Sequence, residues 1–156
     1  TMAIEAGVPA PDFALQDSEG NTVRLADYRG RKVVLYFYPK DDTPGCTTEA
    51  CSFRENLGRV QALGAVVLGV SPDTVESHRK FAEKHGLQFT LLADPEATTA
   101  QAYGVWVKKT MYGRAHTGIE RTTFIIDEQG IIRRVFPKVK VEGHTDEVIE
   151  ALKEMG

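Results

Sequence analysis

Cys46 and Cys51 are the only two cysteines of the chain, and four residues separate them. A close thiol pair supports redox cycling, nucleophilic catalysis or metal binding, and in a reducing compartment these outweigh a structural disulfide. Cys46 closes the string Pro39-Lys40-Asp41-Asp42-Thr43-Pro44-Gly45-Cys46, which follows an apolar run at 33–38. Thr43-Pro44 has the form of a helix start. The threonine oxygen can accept a bond from a first-turn N–H, and proline at the first helical position gives up no hydrogen bond. Cys46 then falls in the first turn, where unpaired N–H groups and the positive end of the helix dipole favour a thiolate over a thiol. The plainer reading of Cys46 is a small buried hydrophobe.

Downstream, Cys46, Ala50, Phe53, Leu57 and Val60 recur with 4-3-4-3 spacing and form one stripe that faces a core. Cys51 lies about 140° from that stripe at 100° per residue, so core filling explains it poorly. In a regular helix the two Cα atoms stand about 8.6 Å apart, beyond the roughly 7 Å that a disulfide spans without backbone movement. Redox cycling through this pair would therefore unwind the first turns of their own helix. Cys-x4-Cys without a third nearby Cys or His is not a zinc or iron–sulfur pattern. His78 and His85 share a helix side with Val75 and Ala82 and read as packed or surface histidines, and His116 and His144 are isolated.

The elements that must position these residues follow from three recurring junctions. Apolar runs at 33–38, 66–70 and 89–93 are each followed by a capping residue and a proline: Thr43-Pro44, Ser71-Pro72 and Asp94-Pro95. Each predicts a strand and then a helix start. The pattern then changes to hairpins: 122–126 and 131–136 flank Asp127-Glu128-Gln129-Gly130, and near the start 13–16 and 23–25 flank residues 17–21. A last helix is expected from about Thr145, with Asp146 and Glu147 in its first turn and Val148, Ile149 and Leu152 on its apolar side. The sum is an α/β fold with a mixed central sheet flanked by helices and an N-terminal β-hairpin.

Length and charge set the outer bounds. The 156 residues, 42% apolar and 26% charged, fit one domain over 1–156. A net charge of −3 lacks the basic excess that nucleic acids or anionic membranes require, and no apolar stretch approaches the roughly 20 residues of a membrane span. Residues 1–5 carry no basic leader, so a cytoplasmic location is expected. Neither a phosphate loop nor a dinucleotide fingerprint is present.

Arg121 stands immediately before the strand at 122–126. If that strand runs antiparallel to 33–38, Arg121 reaches the sheet edge that holds the Cys46 turn and can turn its charge toward the sulfur; otherwise it is a solvated strand-end arginine.

The string from Tyr38 to Glu49 resembles the active-site segment of the peroxiredoxins, Pro-x-x-x-Thr/Ser-x-x-Cys, with Pro39, Thr43 and Cys46 filling the motif. Extended through Cys51, and together with Tyr103-Gly104-Val105-Trp106 and Met111-Tyr112-Gly113, it is similar to the bacterioferritin-comigratory-protein (PrxQ) subgroup. The resemblance implies a thioredoxin-like fold and cysteine-based reduction of hydroperoxides, with no metal, haem or flavin cofactor. It makes Cys46 the peroxidatic cysteine, Cys51 the resolving cysteine, Thr43 a hydroxyl bonded to sulfur and peroxide, Pro39 a pocket shield and Arg121 the thiolate's support. It further implies an intramolecular disulfide recycled by a thioredoxin-type reductant, and we expect a monomer. A thioredoxin-like dithiol–disulfide oxidoreductase, weakened by the absence of Cys-x-x-Cys, and a non-enzymatic redox sensor are the competing readings.

Overall fold

A computed structural model describes residues 3–156, with Met111 described by its backbone alone. Thr1 and Met2, where the leader reading begins, lie outside the described residues. In chain order the strands are β1 (Ala14–Asp17), β2 (Thr22–Arg24), β3 (Lys32–Phe37), β4 (Ala65–Ser71), β5 (Thr90–Ala93), β6 (Trp106–Met111), β7 (Arg114–Ile119), β8 (Thr122–Ile126) and β9 (Ile132–Phe136). The helices are α1 (Pro44–Glu55), α2 (Leu57–Ala62), α3 (Val75–His85), α4 (Thr98–Ala102) and α5 (His144–Met155). Seven strands form one mixed sheet in the order β2-β1-β5-β4-β3-β8-β9. β3, β4 and β5 run parallel, β8 is antiparallel to β3, and β1–β2 is the N-terminal hairpin.

β3 is buried on both faces, which is why its sequence is continuously apolar from Val33 on. Val34, Tyr36 and Tyr38 face a core shared with α1, α2, α3 and α5, whereas Val33, Leu35 and Phe37 face a second core that holds Ala97, Ala100 and Tyr103. Tyr36 stacks on Phe53 at 4.8 Å and thereby seats α1 on the sheet. The space for its ring comes from Gly69, which pairs with Tyr36 in register; a methyl group there would stand 2.9 Å from both Tyr36 and Leu91.

Cys46, Ala50, Phe53, Leu57 and Val60 are all buried, as the stripe requires, while Cys51 is half-buried. Asn56 interrupts the helix, its side-chain amide donating to the Ser52 carbonyl at 2.9 Å, and the apolar stripe continues across the break.

Two expectations need correction, and one further element is added. The helix predicted at Ser71-Pro72 starts at Val75 with Thr74 as its cap; Ser71 ends β4 and donates its hydroxyl to Asp73. The helix predicted at Asp94-Pro95 starts at Thr98 after left-handed Ala97, and Asp94 instead reaches over to accept from the N–H groups of Thr99 and Ala100. The β6–β7 hairpin was not predicted. Its two-residue turn has positive φ at both Tyr112 and Gly113, the geometry that hairpin twist prefers, but tyrosine there disguises the usual Asn-Gly or Asp-Gly signal.

Candidate active site

The site forms where β3 hands over to α1. Thr43 occupies the N-cap position with extended backbone, and Pro44 opens the helix. The Thr43 hydroxyl does not cap: it donates to the Lys40 carbonyl at 2.9 Å and closes the 40–43 turn on itself. Its oxygen lone pairs are left for an outside donor. Thr47 makes the first helical bond, to the Thr43 carbonyl, so the amides of Gly45 and Cys46 have no partner among the described residues and remain first-turn donors. Cys46 is 2% exposed, and Pro39 is half-buried beside the turn.

Arg121 arrives by the predicted route. β8 pairs antiparallel with β3, with Phe37 opposite Thr122, so the residue before Thr122 lies at the end of β3 where the turn begins. Val139 holds its backbone by donating to the Arg121 carbonyl at 2.9 Å. One arm of the guanidinium, Nη2, donates to Cys46 Sγ at 3.3 Å, and the other, Nη1, donates to Glu49 Oε1 at 2.7 Å. Gly45 lies beside this arm: a methyl group on it would stand in ordinary contact with Nη2 at 3.4 Å. Burial opposes the charge of Arg121, but Glu49 and Cys46 more than offset it and hold the guanidinium firmly protonated. Sγ therefore lies at a helix N-terminus and beside a permanent cation, the kind of setting in which cysteines serve as nucleophiles.

The sequence reading missed Glu49. It is 1% exposed, one turn after Cys46, and burial pushes its carboxyl up to about 7 against the lowering influence of Arg121. A helical glutamate reads as a solvated residue unless the arginine that meets it, 72 positions downstream, is known.

A second polar cluster fixes the turn before α1 from behind. Asp41 accepts from the Tyr38 hydroxyl at 2.5 Å and the Ser77 hydroxyl at 2.8 Å, and it lies 2.7 Å from His78 Nδ1. The Asp41 amide donates to Asp73 at 2.8 Å, and Asp42 pairs with Lys84 at 2.8 Å. These bonds tie the 41–42 turn to α3. Asp41, Asp73 and His78 hold their ligand atoms within 4.8 Å of one another, close enough to share a cation, but those atoms are committed to these hydrogen bonds. His78 is thus a packed core histidine, as its helix face predicts. His144 is not isolated: it is buried, bonded to Thr123 at 2.8 Å and set edge-on to Phe53 and Phe136.

The sequence profile of the AhpC/TSA family matches residues 6–135. The chain is 51% identical to Peroxiredoxin Bcp of Bacillus subtilis over 99% of its length and 98% of the relative's. The chain belongs to the peroxiredoxins. Further relatives place this peroxiredoxin with the bacterioferritin-comigratory (Bcp) proteins: a Bcp from Coxiella burnetii is 53% identical, covering 97% of this chain and all 100% of its own. Among solved structures, the Xanthomonas campestris bacterioferritin comigratory protein, studied for alkyl peroxide reduction, superposes with a TM-score of 0.91 at 41% identity, covering 97% of this peroxiredoxin and 99% of that chain. The thioredoxin-like fold expected from the resemblance is therefore the fold observed.

Proposed function

We propose that this peroxiredoxin reduces hydrogen peroxide and organic hydroperoxides through Cys46, and the observation that carries the proposal is the Arg121 fork, 3.3 Å from Cys46 Sγ. The Cys46 thiolate attacks the terminal peroxide oxygen; the S–O bond forms, the O–O bond breaks, and the departing oxygen takes a proton to leave as water or alcohol. Arg121 and the unpaired first-turn amides support charge as it moves from sulfur to the leaving oxygen. Thr43, its proton committed to Lys40, is free to accept from the peroxide O–H and orient it. Pro39, half-buried beside the turn, shields the sulfur from solvent.

Cys51 then attacks the sulfenic sulfur, which releases water and forms the Cys46–Cys51 disulfide. Both cysteines are free and share one helix in the reduced protein, so the bridge needs the first two turns of α1 to open. A thioredoxin-type dithiol reduces the bridge by exchange, taking over the oxidation as its own disulfide. We read the chain as one catalytic domain that works as a monomer in the cytoplasm. Use of organic hydroperoxides agrees with the alkyl peroxide activity named for the X. campestris relative.

The test is continuous peroxide consumption by purified protein with thioredoxin and thioredoxin reductase. Sustained turnover that disappears in Cys46→Ser is expected. A single stoichiometric oxidation without turnover would instead favour a redox sensor.

A further inference from the structure

Arg121 is one cation with two acids on its fork. Cys46 and Glu49 are 2% and 1% exposed, and each receives one arm of the guanidinium. Two full negative charges around one positive charge would leave a net anion inside the protein, which a low-dielectric interior disfavours. The hydrogen bonding of Glu49 is also incomplete: Oε1 accepts from Arg121, while Oε2 has no partner among the described residues. An ionised carboxylate with one oxygen buried and unpaired is costly; a protonated one is far less so. The buried hydroxyl of Tyr36 on β3 is likewise without a partner, and after burial itself the charge of Glu49 acts on it most strongly.

The other charged or titratable neighbours do not supply the missing cation. Lys109, on β6, faces Cys46 and Arg121 but donates to the Ile119 carbonyl and has its own acid in Glu120. His144, on α5, faces Arg121, and burial favours its neutral form. Arg121 therefore balances one negative charge at a time.

We propose that Glu49 stores the proton that peroxide reduction consumes: it is a carboxylic acid while Cys46 is a thiolate, and it becomes the carboxylate partner of Arg121 when the sulfur is oxidised. The inference rests on the peroxidase reading above and deepens it. The step balances as thiolate plus hydroperoxide plus Glu49 carboxylic acid giving sulfenic acid, alcohol and Glu49 carboxylate. Sulfur loses two electrons to the peroxide O–O bond, and the leaving oxygen gains a proton while Glu49 gives one up. Net charge around Arg121 is the same before and after. Glu49 does not touch the sulfur; it acts through Arg121 and is a positioning residue that also keeps the proton count. The elevated carboxyl, at about 7, agrees with a group that can change state under physiological conditions.

Infrared difference spectroscopy reads this directly. Cys51→Ser protein is reduced, treated with one equivalent of hydrogen peroxide just below neutral pH, and checked by mass spectrometry for a sulfenic-acid trapping adduct on Cys46. The oxidised-minus-reduced spectrum should lose one protonated-carboxyl C=O band per chain and gain one carboxylate. Both changes should shift in protein labelled with carbon-13 glutamate, and Glu49→Gln should abolish them. The labelled protein alone assigns the band if Glu49→Gln does not fold, because no other glutamate is buried among the described residues. Cys46 oxidation without a carboxyl change, or a change that survives in folded Glu49→Gln, overturns the inference while leaving the peroxidase reading intact. Failure to form any Cys46 adduct overturns both.

Discussion

Replacing Arg121 with alanine removes a permanent charge in contact with Cys46 Sγ, at 3.3 Å. A hydrogen bond to a charged group contributes about 1.5–3 kcal/mol. At about 1.4 kcal/mol per tenfold, the second-order rate constant for peroxide should fall roughly 10- to 100-fold. The loss should be chemical rather than structural. Glu49 would lose the influence that holds its carboxyl down to about 7, so it would rise further and stay neutral, leaving no bare charge in the core. Arg121→Lys keeps the charge but not the fork, and one ammonium cannot serve Sγ and Oε1 together, so an intermediate rate is expected. Stopped-flow fluorescence at equal protein and peroxide concentrations measures the rate, and iodoacetamide alkylation across pH measures the thiolate. In Arg121→Ala the alkylation curve should move to higher pH. A rate within twofold of wild type, with an unmoved alkylation curve, would refute the role given to Arg121.

Glu49 is raised from 4.5 to about 7, so the folded state keeps a proton that the unfolded state releases; the associated stability is present below pH 4.5 and is lost as pH rises toward 7. That gap corresponds to about 3 kcal/mol, so Glu49→Gln should remove this part of the pH dependence of urea unfolding, and an unchanged pH dependence would count against the assignment. Asp41→Ala strips the acceptor from Tyr38, Ser77 and His78 at once and should cost about 3–5 kcal/mol in urea unfolding; a loss below about 1 kcal/mol would mean the cluster does not secure the turn. In Cys51→Ser, high peroxide should drive Cys46 to sulfinic or sulfonic acid. On oxidation of wild type, hydrogen-exchange protection should fall around residues 44–52 and persist beyond, where Phe53 is locked in the core; equal protection before and after would contradict an opening helix.

What the sequence disclosed was whatever is encoded locally. Thr43-Pro44 marked the start of α1 to the residue, although the threonine hydroxyl does not cap it, and the 4-3-4-3 stripe gave the buried face of α1 and α2, because the fixed φ of proline and helical periodicity act within one or two turns. Arg121 was legible because strand direction fixes which sheet edge a strand end reaches. Glu49 and Asp41 were not, since each owes its role to a partner distant in sequence: Arg121 for one, Ser77 and His78 for the other. The β6–β7 hairpin escaped for another reason. Most of its residues are exposed, so no period-2 burial pattern is written into it. Asp94 shows how a cap signal can be right in chemistry and wrong in place: its carboxylate does satisfy helix N–H groups, but those of Thr99 and Ala100, beyond a left-handed residue at 97.

We propose that Cys46 is the sulfur that takes oxygen from peroxide and that Cys51 resolves it. Reduced protein exposed to one equivalent of hydrogen peroxide and then digested under alkylating conditions tests both halves together. Wild type should give a Cys46–Cys51 disulfide as the main product, Cys51→Ser a trapped sulfenic acid on Cys46, and Cys46→Ser neither product. Recovery of Cys46 as the free, alkylated thiol while the peroxide is consumed would contradict it.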